Sequence, residues 1–167
     1  MQTPVLDLQE VVVARGDRRT VDGLSLCVPP GGVYALLGGN GAGKTTTLNV
    51  LLGFVTPAAG RVAVAGLDPV RDARAARRAV AYLPENVALY PYLSGIENLR
   101  YFCEIAGLRL TAQEAVSLLE QAGLAPASHR ARLATYSKGM RQKVGLAIAQ
   151  QAGAAGEGLD GMIGVEA

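Results

Sequence analysis

The sequence predicts an α/β fold in which a glycine-rich loop joins a buried strand to a helix. An antiparallel β region precedes this unit, and an α-helical subdomain is inserted after it. Three observations predict the arrangement: a glycine-rich loop at residues 38–46, two β-patterned segments before it, and two helices with capping boxes after it.

The glycine-rich loop fits the pattern G-x-x-x-x-G-K-[ST]. Its residues are Gly38, Gly39, Asn40, Gly41, Ala42, Gly43, Lys44, Thr45 and Thr46. The glycines let the backbone curl so that successive N–H groups point at a polyphosphate. Lys44 is placed to reach the β- and γ-phosphates, and the Thr45 hydroxyl is placed to ligate Mg²⁺. The loop therefore predicts binding of a nucleoside triphosphate.

The flanking residues provide the context that such a loop requires. Residues 33–37 are apolar and follow a Pro-Pro-Gly-Gly turn, which predicts a buried strand. Residues 45–52 carry leucines at helical spacing and stop at Gly53, which predicts a helix. Bound phosphates would then sit at a helix N-terminus, where backbone N–H groups favour anions.

The remaining segments divide the chain into three predicted parts. Residues 1–85 hold the β region and the loop, with strands at 5–13, 20–28, 61–65 and 80–83 and a short arginine-rich helix at 71–78. Residues 86–150 form the helical subdomain, with helices at 94–107 and 111–123 and a third beginning at Ser137. Residues 151–167 are rich in Gly and Ala without a sustained period, which predicts a flexible tail.

Composition and residue spacing argue against several classes of protein. The net charge is only +2 from 16 basic and 14 acidic residues, which argues against a dedicated nucleic-acid binder. Cys27 and Cys103 lie far apart, without the spacing of a metal site or a disulfide framework. No signal-peptide pattern and no apolar run of about 18 residues occurs, so we expect a reduced protein that faces the cytosol.

Taken together, the motifs resemble those of the ATP-binding subunit of an ABC transporter. Family members carry GPNGAGKTT as the phosphate loop, and this chain has GGNGAGKTT, with Gly39 in place of Pro. The family signature LSGGQ is matched by Tyr-Ser-Lys-Gly-Met at 136–140, followed by a basic helix. Glu85 stands where the family usually has a Gln, and such variants are typical of exporters of drugs, polysaccharides and ions. The resemblance covers residues 5–150.

The resemblance implies a set of functional residues and partners. ATP and Mg²⁺ would be bound by the loop, with Lys44 and Glu85 catalytic and with Thr45 and Glu85 near the metal. Two copies would sandwich two ATP molecules, each loop facing Ser137 and Gly139 of the other copy. The homodimer would drive integral membrane permease subunits from the cytoplasmic face of the inner membrane, as a peripheral protein.

Within the exporters, four segments are similar to the ATPase subunit of the transporter that matures the copper centres of nitrous-oxide reductase. These segments are Tyr-Leu-Pro-Glu-Asn-Val at 82–87, Tyr-Pro at 90–91, Leu-Ser-Gly at 93–95 and Thr-Tyr-Ser-Lys-Gly-Met-Arg-Gln at 135–142. The transported substrate is not encoded in these residues.

Three departures from the family pattern bear on activity. Arg15 stands where family members stack an aromatic residue on adenine, although a guanidinium also stacks on a base. Glu85 replaces a neutral amide with an acid, which cannot donate a hydrogen bond when ionised. After Gln150 the family continues with an Asp that holds Mg²⁺, a Glu that activates water and a His that senses the γ-phosphate. Residues 151–167 resemble none of this, which suggests a truncated or frameshifted gene.

The competing hypothesis is a nucleotide-binding remnant in which hydrolysis is near background. Other classes fit less well. A kinase would need clustered lid arginines, a GTPase would need an N-K-x-D run, and soluble ABC proteins of translation or DNA repair usually pair two such domains.

Overall fold

The computed structural model describes residues 3–31, 34–84, 86–154 and 161–164, and it divides into two compact units at Val80. The first unit contains β1 (Leu6–Arg15), β2 (Arg18–Val28), α1 (Lys44–Leu51), β3 (Ala59–Val64) and α2 (Ala73–Arg78). The second contains α3 (Gly95–Ile105), α4 (Ala112–Gln121) and α5 (Lys138–Ala154), with short 3-10 turns at Pro126–Ser128 and Leu133–Thr135. Two further strands are β4 (Val80–Leu83) and β5 (Gly161–Gly164).

The first unit is built on an antiparallel three-stranded sheet with strand order β2-β1-β3. Leu8 of the central strand lies opposite Leu26 on one side and Val62 on the other. Its side chain is almost fully buried, as are those of Val11 and Val64. The predicted antiparallel β region is confirmed, since apolar residues on one face of these strands supply the burial that holds the sheet together.

Helix α1 buries its apolar face within this unit. Leu48, Val50 and Leu51 are buried, and the helix ends before Gly53, which has the left-handed φ of 72° that suits a helix C-terminus. A Cβ added to Gly53 would lie 2.1 Å from the carbonyl oxygen of Pro69. Gly53 therefore both ends the helix and allows the backbone at Pro69, which follows β3, to pass close to it.

The strand predicted at residues 33–37 is wrong within the described part of that segment. Tyr34 to Gly39 have no regular secondary structure, and Leu37 is 87% exposed. Gly32 and Val33 lie outside the described residues. A buried strand needs neighbours to pair its N–H and C=O groups. Among the described residues no strand is hydrogen-bonded to this segment, so its apolar pattern alone does not produce a strand.

The second unit is a helical subdomain around one apolar core. Leu99 and Cys103 of α3 pack with Leu119 of α4 and Val144 of α5, each at most 1% exposed. Both predicted capping boxes form, at Ser94–Glu97 and Thr111–Glu114. In each box the carboxylate accepts from the N-cap backbone N–H, so the helices begin where the sequence predicts.

The flexible tail predicted from residue 151 is corrected in two places. Helix α5 continues through Ala154, and Gly161–Gly164 form β5, which pairs with β4. An apolar β4 offers unpaired backbone groups, and pairing with any extended segment satisfies them. Residues 155–160 and 165–167 of the predicted tail lie outside the described residues. None of the described helices combines the length and the apolar composition that a membrane span requires.

Candidate nucleotide-binding site

The loop at residues 38–46 is a tight turn that two glycines make possible. Gly41 and Gly43 have φ of 83° and 87°, in the left-handed region where a side chain is strained. The Ala42 N–H donates to the Gly39 carbonyl over 3.1 Å, which closes the turn. These conformations explain why glycine stands at 41 and 43.

Gly43 also brings the loop against strand β2. A Cβ added there would lie 2.4 Å from the carbonyl oxygen of Thr20 and 3.2 Å from Cγ2 of Val21. Contacts as close as 2.4 Å do not occur with a real Cβ, so only glycine fits between the loop and the strand. The sheet therefore fixes the position of the loop, and the loop fixes the start of α1.

Helix α1 begins at Lys44 and has no side-chain cap at its N-terminus. The first-turn N–H groups of Lys44, Thr45 and Thr46 lack intrahelical acceptors, because a helix leaves its first donors unpaired. The positive end of the helix dipole adds to these donors, so the terminus fits an anion. Thr45 is exposed there, whereas the buried Thr47 donates its hydroxyl to the Gly43 carbonyl over 3.0 Å.

The Lys44 side chain folds back over the loop. Its Nζ donates to the Gly38 carbonyl over 2.5 Å and to the Gly39 carbonyl over 3.2 Å. The ammonium is thus held beside the turn and the helix N-terminus. The structure brings all nine predicted loop residues together in this one site: Gly38, Gly39, Asn40, Gly41, Ala42, Gly43, Lys44, Thr45 and Thr46.

One neighbour of the loop was not identified from the sequence pattern. Arg18, at the start of β2, places its Nη2 atom 4.0 Å from where a Cβ of Gly41 would be. The Gly16-Asp17 turn of the β1–β2 hairpin explains why Arg18 lies directly opposite Arg15. Its approach to Gly41 depends on how the hairpin packs beside the loop, so the sequence carries no local signal for it.

The predicted signature residues lie in the second unit, at the start of α5. Ser137 accepts the Met140 N–H on its hydroxyl over 3.2 Å, and Ser137 and Gly139 are both exposed. The preceding Tyr136 is buried, and its hydroxyl donates to the Ser128 carbonyl, while burial raises the pKa of that phenol. This anchor fixes the helix start and leaves the signature residues facing outward. Glu85, the remaining predicted site residue, lies outside the described residues.

Comparisons with known proteins place this site in a family. The family model described as "ABC transporter" matches residues 21–154, which extends into the segment predicted to be a tail. The chain is 42% identical over 134 residues to the daunorubicin resistance ATP-binding protein DrrA3 of Streptomyces coeruleorubidus, covering 79% of this chain and 42% of that protein. It is 41% identical over 149 residues to the Nod factor export ATP-binding protein I of Cupriavidus metallidurans, covering 88% and 49%. It is 33% identical over 149 residues to the uncharacterized ABC transporter ATP-binding protein YdbJ of Bacillus subtilis, covering 89% and 48%.

Solved structures show the same fold. A structure of the ATP-binding subunit of an ABC transporter matches with a TM-score of 0.69 at 28% identity, over 89% of this chain and 62% of that one. The cbiO1 protein of Clostridium perfringens, part of the transporter complex cbiONQ, matches with a TM-score of 0.74 at 19% identity, over 90% and 62%.

The chain spans about half the length of the curated relatives it matches. The match nevertheless includes the glycine-rich loop, helix α1, the helical subdomain and the start of α5. On this evidence of sequence and fold, the chain belongs to the ABC transporter family and carries the phosphate-loop and helical parts of its ATP-binding domain.

Proposed function

We propose that the chain acts as the ATP-binding and ATP-hydrolysing part of an ABC exporter. The observation that carries the proposal is the geometry of the phosphate loop. Gly43 packs this loop against β2, and the Lys44 ammonium lies beside the N-terminus of α1, which has no side-chain cap. Backbone donors, a helix dipole and a lysine converge there on one exposed surface.

Each loop residue has a proposed role in binding. The backbone N–H groups of residues 41–46 hold the phosphates, and Lys44 leaves the Gly38 and Gly39 carbonyls to contact the β- and γ-phosphates. The exposed Thr45 hydroxyl is the proposed ligand of Mg²⁺, and Glu85 is the proposed second contact to the metal or its water. Mg²⁺ would neutralise charge that develops on the phosphates during transfer.

The signature residues are proposed to act across a homodimer. Ser137 and Gly139 lie exposed at the N-terminus of α5, where backbone donors suit an anion. In the proposed dimer they face the γ-phosphate held by the other copy's loop. A peripheral location at the cytoplasmic face of the inner membrane follows from this role, because the ATPase must reach its permease.

An exposed aromatic cluster on the helical unit is the proposed permease contact. The rings of Tyr90 and Tyr101 meet edge to face at 5.0 Å, and Phe102 stacks on Tyr90 at 5.9 Å. Tyr92 nearby in sequence is 81% exposed and Ile105 is 67% exposed. Exposed apolar and aromatic groups of this kind mark protein–protein contacts.

The name of one relative supports the exporter assignment, since it is called a Nod factor export ATP-binding protein. A role in copper-centre maturation of nitrous-oxide reductase is the finer proposal. It is supported by the segments 82–87 and 135–142 that resemble that subfamily. Its test is whether the gene restores copper loading of the reductase in a strain that lacks its own ATPase subunit.

The main proposal is tested by measuring phosphate release from ATP. The chain is co-expressed with its permease, and the complex is assayed in lipid vesicles. We expect turnover that is abolished in Lys44→Ala and reduced in Tyr101→Ala, with the exposed α4 variant Gln113→Ala as control. Tyr101→Ala should also lower the amount of permease that co-purifies with the chain. Release that is at background in wild type, together with saturable ATP binding, would support the remnant hypothesis instead.

A further inference from the structure

We propose that Arg18 contacts the phosphate chain of a nucleotide bound at residues 38–46, as a second cation opposite Lys44. This inference rests on the proposed nucleotide binding and adds to it a residue outside the glycine-rich loop. It assigns to the β1–β2 hairpin a part in holding phosphate.

The hairpin register places Arg18 on one defined face. Arg15 and Arg18 are directly opposite each other across the Gly16-Asp17 turn. Side chains of directly opposite residues share a face of an antiparallel pair, whereas the next residue along a strand points to the other face. Arg19 is that next residue, and its guanidinium is paired with Asp22 at 2.8 Å.

The start of β2 comes close to the loop at two points. The Thr20 carbonyl oxygen lies 2.4 Å from where a Cβ of Gly43 would be, which fixes the distance between strand and loop. Two residues earlier in the same strand, the Arg18 guanidinium approaches Gly41, at the bend of the loop, to within 4.0 Å of a Cβ built there. Both contacts lie within the first unit, so the same sheet that positions the loop also positions Arg18.

The charge of Arg18 is available for a ligand. Its side chain is exposed, and among the described residues the ion pair that forms is Arg19–Asp22, with no carboxylate paired to Arg18. A guanidinium presents a planar fork of donors that matches phosphate oxygens and stays charged at every physiological pH. Lys44 approaches the loop from the helix side and Arg18 from the hairpin side, so the two cations would flank a polyphosphate.

The experiment measures competition by inorganic tripolyphosphate and by ATP against a fluorescent ATP analogue. The proteins are wild type, Arg18→Ala, Arg18→Lys and the matched neighbour Arg19→Ala. We expect Arg18→Ala to weaken both competitors by about tenfold, the size of one charge-assisted contact. Arg18→Lys should recover part of this loss. The affinity of Arg19→Ala for both competitors should stay within about twofold of wild type, because the Arg19 charge faces away from the loop and is screened.

Tripolyphosphate has no base, so it separates a phosphate contact from stacking on adenine. Unchanged tripolyphosphate binding by Arg18→Ala would overturn the inference, even if ATP binding fell. Equal losses in Arg18→Ala and Arg19→Ala would overturn it too, because they would indicate a general charge effect. Lys44→Ala distinguishes failure of the proposed function from failure of the inference about Arg18. If Lys44→Ala binds like wild type, the proposal of nucleotide binding at the loop is wrong. If only Arg18→Ala binds like wild type, the inference about Arg18 alone is wrong. Matching thermal midpoints would verify that each variant is folded.

Discussion

Replacing Gly43 with alanine tests whether the loop is held in place by its contact with the sheet. The new Cβ would lie 2.4 Å from the Thr20 carbonyl oxygen. Ordinary C···O contacts are about 3.3 Å or longer, so the loop and strand β2 must separate by about 1 Å. Gly43 also has φ of 87°, and an alanine there costs about 1–2 kcal/mol before any clash is counted.

We expect Gly43→Ala to lower the free energy of unfolding by about 2–4 kcal/mol, as the sum of the backbone strain and the forced separation. A displacement of about 1 Å at the first N–H groups of α1 should weaken nucleotide binding by about 10- to 100-fold. Urea denaturation measures the first quantity, and titration with a fluorescent ATP analogue measures the second.

Gly39→Ala is the matched control, because it adds the same methyl group to the same loop. A Cβ at Gly39 meets no atom within 4 Å, and Gly39 does not have a left-handed φ. Its unfolding free energy should change by less than about 0.5 kcal/mol, and its affinity for the ATP analogue should fall far less than that of Gly43→Ala. Equal effects of the two substitutions would refute the reasoning, since the contact with Thr20 would then not matter.

Three further predictions concern the helical unit. Asn98 is fully buried and its amide bonds the backbone of Tyr90 and Ser94, so Asn98→Ala should cost about 2–3 kcal/mol in urea denaturation. Tyr136→Phe leaves a carbonyl without its donor and should cost about 1 kcal/mol in the same assay. The Ser94 backbone N–H, and then its hydroxyl, hold the pKa of Glu97 below its ordinary value. The carboxylate therefore stabilises the fold above the unfolded pKa of about 4.3, and this is lost as pH falls through the lower folded pKa. The thermal midpoint of wild type should accordingly fall more steeply below about pH 5 than that of Glu97→Gln.

Each of these predictions has its own control or contradicting result. Gln113→Ala removes an exposed amide of α4 and should leave stability within about 0.5 kcal/mol of wild type. If Gln113→Ala and Asn98→Ala lower the free energy of unfolding by similar amounts, the hydrogen bonds of the buried Asn98 amide are not the source of the loss. If Tyr136→Phe leaves the free energy of unfolding unchanged, the hydrogen bond of the phenol does not anchor α5. Parallel pH curves for wild type and Glu97→Gln would contradict the capping account.

Local features were predictable where the residues themselves dictate the backbone. Both capping boxes form as Ser-x-x-Glu and Thr-x-x-Glu require, because the side-chain and backbone partners are only three residues apart. The loop also forms as expected, since its glycines adopt φ that other residues avoid and its lysine sits at the first position of α1.

Features that depend on distant partners were not predictable in the same way. The apolar segment at 33–37 has a strand pattern, but a strand requires a neighbour, and Leu37 is exposed. β5 lies in a Gly- and Ala-rich stretch without periodicity, yet pairing with β4 gives it an extended backbone. Similarly, the approach of Arg18 to Gly41 depends on how the hairpin packs beside the loop, which no local pattern encodes.

The central claim is that the loop at residues 38–46 binds a nucleoside triphosphate through Lys44. The most direct test is titration of the purified chain with a fluorescent ATP analogue and Mg²⁺, alongside Lys44→Ala. The control is Lys143→Ala, which removes a lysine that bonds the Gly123 carbonyl in the helical unit. We predict saturable binding by wild type and Lys143→Ala, weakened at least about tenfold in Lys44→Ala. Identical binding curves for wild type and Lys44→Ala, with both proteins folded, would contradict the account.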